Sequence, residues 1–173
     1  MVVSETSVVT GPDAPTAVTA EDLLGLVGDL WRSVSADPEV DDAPVEAGWH
    51  PAGSRLLRST IGIEGSWEGD LVVSCAPLAA ERWARAMLAM DEDEVVGEAD
   101  ALDVLAEIAN VVGGAVKAHC AAGGRLGLPD ADVVEAHDGP PAAPELLVAV
   151  GMTWPDAPLG DDDALFSLAL ISR

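Results

Sequence analysis

The chain has 173 residues, 49% of them hydrophobic, and carries 31 acidic against 8 basic side chains for a formal charge of −23. The length suits one domain able to bury its own core. The charge argues against DNA, RNA or an anionic membrane as partner, because phosphate binding needs Lys and Arg to displace counterions; solubility or a salty cytoplasm accounts for it.

Residues 1–18 are small, polar and proline-spiced, and read as a disordered tail without the basic and apolar segments of a signal peptide. A single domain is then expected over 19–173. Thr19 precedes Glu21 and Asp22, an N-cap followed by first-turn acids. Leu23, Leu24, Val27, Leu30, Trp31 and Val34 recur at three and four, which predicts a helix over about 20–36. Residues 36–53 hold three prolines and read as a loop with room for a short strand. Leu57, Ser59, Ile61 and Ile63 alternate with Arg58, Thr60, Gly62 and Glu64, as a strand requires. Gly65 and Gly69 flank a turn, and Leu71–Cys75 returns as the second strand of a hairpin. Pro77 opens a helix at its first turn, where the missing N–H does no harm. Ala79, Trp83, Met87 and Met90 fall on one face of that helix and read as core.

Asp91, Glu92, Asp93 and Glu94 read as a solvated linker that feeds the positive end of the next helix. That helix runs from about Glu98 to Ala121, and Gly123, Gly124 and Gly127 end it. A short strand is expected around Val133 and a turn at 139–141. Two strong strands close the chain, 145–154 and 164–172, paired antiparallel across an acidic loop. As terminal strands they are expected to offer a sheet edge that needs covering. Strands and helices segregate along the chain, which predicts an α+β fold, an antiparallel sheet with helices packed on one face.

Several chemistries lack their residues. There is no GxxxxGK[ST] phosphate loop, no GxGxxG fingerprint and no GxSxG elbow. Cys75 and Cys120 show no CxxC spacing and read as free thiols in a reducing cytoplasm. His119 and Cys120 are neighbours on a helix, pointing about 100° apart, so they cannot share a metal or form a Cys–His pair. His50 and His137 lie in loops with no ligand spacing near them. No apolar run reaches about 18 residues, so no membrane span is expected and the chain reads as cytoplasmic.

The helix over 98–121 is the informative element. Leu102, Leu105, Ile108, Val112, Ala115 and Val116 cluster on one side. Asp103, Glu107, Asn110, Gly114 and Lys117 fall within an arc of roughly 80° on the other, at about 100° per residue. Gly113 and Gly114 sit mid-helix, each about 1 kcal/mol less favourable than alanine. Such a pair is kept where something approaches the backbone closely, and at Gly114 the approach would come from outside. From the residues alone, a solvated face with a tightly packed glycine remains the simpler account.

Asp103, Glu107 and Asn110 also spell D-x-x-x-E-x-x-N, which resembles the [DS]xxxExxN signature of the CheC/CheX/FliY chemotaxis phosphatases. The hairpin TIGIEGSWEGDLVVSC, the helix LAAERWARAMLAM, the acidic linker and EIANVVGGAVK resemble CheX in the same order. The likeness covers about residues 20–172 and is strongest over 59–120. The family's later proline stands closer to the asparagine here, as Pro129. The earlier helix offers Glu81 but Ala84 where a second asparagine would stand, so one intact motif points to the CheX branch.

The resemblance implies a CheC/CheX-like fold and a phosphatase acting on the aspartyl phosphate of a CheY-like response regulator. Asn110 would hold the attacking water in line, and Glu107 would pair with the partner's lysine. Gly114 would leave room for the partner's loops, with Asp103 and Lys117 as flanking contacts. This chain would bind no cofactor of its own, the Mg²⁺ coming from the phosphorylated regulator. By resemblance a homodimer formed through an edge strand is expected. Two other readings stay open: a CheX-like module that docks a regulator or switch component without turnover, and a scaffold whose stripe is only solvated surface.

Overall fold

The structure is a computed structural model and describes residues 9–10, 18–35, 43–91, 93–120, 123–137, 146–157 and 164–173. Its first helix, α1 (Ala20–Val34), begins where the capping signal stands. The Thr19 hydroxyl accepts from the Asp22 N–H, and the Asp22 carboxylate accepts from the Thr19 N–H at 2.7 Å, a reciprocal capping box. These bonds hold the Asp22 carboxyl below its ordinary pKa. A short strand β2 (Val45–Ala47) follows, then the long hairpin β3 (Arg55–Glu64) and β4 (Gly69–Cys75).

Helix α2 (Pro77–Leu88) buries Ala79, Ala80, Trp83 and Ala84. It stops before Met90, which the sequence periodicity had placed on its inner face. Ala89 takes a left-handed conformation (φ 51°), and its N–H bonds to the Arg85 carbonyl. The Arg85 guanidinium then donates to the carbonyl oxygens of Asp91 (2.6 Å) and Glu94 (2.7 Å). The chain is thereby turned out of the helix by one side chain gathering the linker's backbone.

Helix α3 (Glu98–Cys120) runs unbroken through Gly113 and Gly114. The remaining strands are β5 (Arg125–Leu126), β6 (Asp130–Glu135), β7 (Leu146–Thr153) and β8 (Phe166–Ser172). The expected turn at 139–141 lies outside the described residues. With β1 (Val9–Thr10), all eight described strands form one antiparallel sheet in the order β1-β7-β8-β4-β3-β5, with β2 also on β7 and β6 also on β3.

Two expectations change here. Val9 and Thr10 pair with Ala149 and Val148, so at these two residues the disordered-tail reading gives way to a strand. The reason is an edge: β7 is bonded to β8 on one side only, and its free N–H and C=O groups gain partners from β1 and β2. The terminal strands are likewise not the exposed edge. β8 is inserted between β7 and β4 and is paired on both sides.

The helices lie on one face. Val27 and Trp31 of α1, Trp83 of α2, and Leu105, Ile108 and Val112 of α3 share a core with Ile61, Leu71, Val150 and Leu168 of the sheet. At its centre Trp83 meets Trp31 edge-on at 5.0 Å, with Trp154 and Phe166 within 6.0 Å. Arg82 lies over the Trp154 ring at 4.8 Å and bonds Asp156 at 2.7 Å, closing this cluster on the solvent side.

Candidate functional site

Helix α3 is seated at its start by Glu98, which pairs with Arg55 at the head of β3. The Asp100 carboxylate accepts from the Gly97 N–H at 3.2 Å, tying down the turn before it. Along the helix Ala101, Val104, Leu105, Ile108, Ala109, Val112 and Val116 are buried against the sheet and α2. That single buried face leaves Asp103, Glu107 and Asn110 exposed, with Gly114 and Lys117 half-buried beyond them. The five stripe residues therefore do share one outward strip of surface. Neither Glu107 nor Asn110 forms a side-chain hydrogen bond or ion pair with another described residue. A carboxylate and a carboxamide less than one helical turn apart are thus both held out to solvent on a rigid, doubly anchored rod.

The two glycines have different causes. A Cβ on Gly113 would meet Ile61 at 3.1 Å and Leu126 at 3.4 Å, so this glycine lets α3 lie close on β3 and β5. A Cβ on Gly114 would meet only Leu126, at 3.9 Å, an ordinary contact. The fold does not need Gly114. Without a side chain there, the outward strip is low beside Asn110. Val111, 41% exposed, adds an apolar surface next to the strip; sequence reading missed it because a valine there fits a buried stripe equally well.

The neighbouring helix cannot supply a second copy of the strip. Ala84 is fully buried, and Glu81 is held by Arg85 at 2.9 Å. The other reactive groups are equally placed away from chemistry. Cys75 is fully buried, which pushes its thiol well above the ordinary range. His119 lies 2.9 Å from the Ala115 carbonyl oxygen one turn back on its own helix. Among the described residues no three His, Cys, Asp or Glu side chains are grouped as metal ligands, and no helix is long and apolar enough to cross a membrane.

Residues 58–137, from β3 through β6 and including all of α3, match the family model of the chemotaxis phosphatase CheX. No curated protein sequence matches the chain. Among solved structures, the chemotaxis protein CheX of Vibrio vulnificus shares 12% identity at a TM-score of 0.58, over 89% of this chain and 95% of that one. CheX from Desulfovibrio desulfuricans gives 13% and 0.56 over 89% and 98%. The CheX of Borrelia burgdorferi, solved with CheY, BeF3 and Mg²⁺, gives 14% and 0.55 over 88% and 96%. Over the matched segment the chain is similar to CheX, and in its sheet-and-helix layout it shares the fold of CheX-like proteins.

Proposed function

We propose that this protein hydrolyses the aspartyl phosphate of a CheY-like response regulator, using Asn110 and Glu107 of α3. The observation that carries the reading is the strip itself: an exposed Asn110 and an exposed Glu107 on one face of α3, neither used by the fold. The match of residues 58–137 to the CheX family model and the CheY-bound state of the similar Borrelia structure support it. An acyl phosphate is already activated, so hydrolysis asks mainly for a positioned water and balanced charge. The Asn110 carboxamide oxygen accepts a hydrogen bond from that water and sets it in line with the phosphorus, as a glutamine does in small GTPases. The Glu107 carboxylate pairs with a lysine of the regulator and fixes the register of docking. Asp103 and Lys117 flank this contact, and Mg²⁺ enters with the regulator.

The test is phosphate release from a regulator phosphorylated with acetyl phosphate. Accelerated release that is lost in Asn110→Ala supports the proposal. A complex without turnover would assign a docking module instead, and neither binding nor turnover would leave a scaffold. Glu107→Ala should weaken binding by about tenfold and lower the rate with it, because a docked, partly desolvated ion pair is worth more than an exposed one.

Gly114 gives a sharper check. Gly114→Ala should stabilise the protein by up to about 1 kcal/mol in urea unfolding, since its methyl meets no clash. Gly114→Leu should leave the fold intact yet reduce regulator binding by more than tenfold. Equal binding by the leucine variant would show that nothing approaches the helix there.

We also infer a homodimer. Its seam is the β6 edge, whose outer side has no strand partner among the described residues. Sedimentation should give twice the chain mass, and a Val133→Pro change on this edge should shift it towards monomer; a wild-type monomer at micromolar concentration rejects the inference.

A further inference from the structure

The sheet face turned away from the helices carries a cavity of about 150 Å³. Its floor follows from strand register. Asp132, Arg58, Ser74, Ser167 and Gly151 are successive partners across β6, β3, β4, β8 and β7, one transverse row. Arg58, Ser74 and Ser167 of that row line the cavity, with Thr60 beside them.

The row ends in a glycine for a steric reason. A Cβ on Gly151 would collide with the carbonyl oxygen of Gly48. The chain therefore crosses the sheet at that point, and Trp49 and His50 become one wall. The facing wall is Glu135 to His137. It is latched by the Gly53 N–H to the Ala136 carbonyl at 2.9 Å and the Ala136 N–H to the Ser54 carbonyl at 2.8 Å. Leu56, Val72 and Ile171 supply apolar surface between the walls.

We propose that this cavity binds a small monocarboxylate with an apolar body. Arg58, one of the chain's 8 Lys and Arg side chains, and His50 and His137, two of its 3 histidines, come to it from separate segments of a molecule whose net charge is −23 with His neutral. Three hydroxyls, from Thr60, Ser74 and Ser167, add hydrogen-bond donors on the floor. A guanidinium matches one carboxylate by two parallel hydrogen bonds. The positive charge is modest: Asp132 lies 3.5 Å from Arg58, and Glu135 stands at the wall. That balance suits a monoanion and disfavours a dianionic phosphate. The volume is that of a single ring, since an engineered cavity of about 150 Å³ holds benzene. The apolar surface requires the rest of the ligand to be hydrocarbon.

Benzoate is the probe, titrated into the full chain and followed by amide shifts, with benzamide and inorganic phosphate as comparators. Saturable shifts are expected at Arg58, Ser74 and Ser167, with benzoate at least tenfold tighter than either comparator. Arg58→Gln should weaken benzoate tenfold or more. Ser167→Ala, which removes the hydroxyl without adding volume, should weaken it at least threefold and decides the matter if the first variant does not fold. No saturable shift, shifts confined to other residues, equal binding of benzamide or phosphate, or benzoate binding unchanged in the folded variants would overturn the proposal.

Discussion

Replacing Asn110 by alanine will lower phosphoaspartate hydrolysis by about a hundredfold or more while leaving regulator affinity within about threefold. The magnitude follows from the role proposed for the carboxamide, orientation of one water in the transition state, where losing a single positioned polar group typically costs 10²–10³ in rate. Binding is spared because the proposal gives the docking charge to Glu107, three residues earlier on the same helix. The fold is spared too. Asn110 is exposed and makes no side-chain bond to a described residue, and alanine is the better helix former by up to about 0.7 kcal/mol. A lost rate therefore cannot be attributed to unfolding. Asn110→Gln tests position rather than chemistry: it keeps the amide but moves it outward by one methylene, and a shift of about 1 Å costs about 10². Single-turnover phosphate release, with affinity measured separately, distinguishes these effects. Unchanged release by Asn110→Ala would remove α3 from the chemistry.

The largest effect on stability will come from Trp83→Ala, about 3–5 kcal/mol, read as a fall in the urea midpoint. Trp83 is fully buried and touches Trp31 of α1, Trp154 beyond β7 and Phe166 of β8. One ring thus ties two helices to β8 and the end of β7, and its removal leaves a cavity that rigid neighbours cannot fill. Against a total stability of roughly 5–15 kcal/mol that is a large share. Trp83→Phe will cost much less. The indole N–H of Trp83 has no hydrogen-bond partner among the described residues, so phenylalanine forfeits volume but no bond. A Trp83→Ala loss below about 1 kcal/mol would show that the cluster is not the keystone of this core.

The two tests probe the site and its support separately. Asn110 points outward from α3, while Leu105, Ile108 and Val112 fix that helix on the sheet from within. The resemblance to the CheX family was readable because its signature is local. D-x-x-x-E-x-x-N lies within eight residues of one helix, and helical spacing alone aligns it.

Elements whose pattern repeats at 3.6 or 2 residues were legible in the same way. The Thr19 N-cap, the β3–β4 hairpin and the buried face of α3 all appear where their residues predict them. Features made by distant segments were not. The end of α2 at Ala89 depends on Arg85 reaching forward to Asp91 and Glu94. The short strand β5 exists because Arg125 and Leu126 pair with Glu64 and Ile63, sixty residues earlier in the chain. His50 and His137 looked unrelated in sequence, yet they line one cavity.

The amino-acid order alone decided which stretches coil, which extend, and which side of α3 is polar, because backbone periodicity and side-chain polarity act over a few residues. Only the folded chain decided that β8 enters between β7 and β4, that Gly48 crosses over Gly151, and that Arg58 and two histidines line one cavity. Those outcomes depend on which far-apart surfaces bury one another, and no local period encodes that choice.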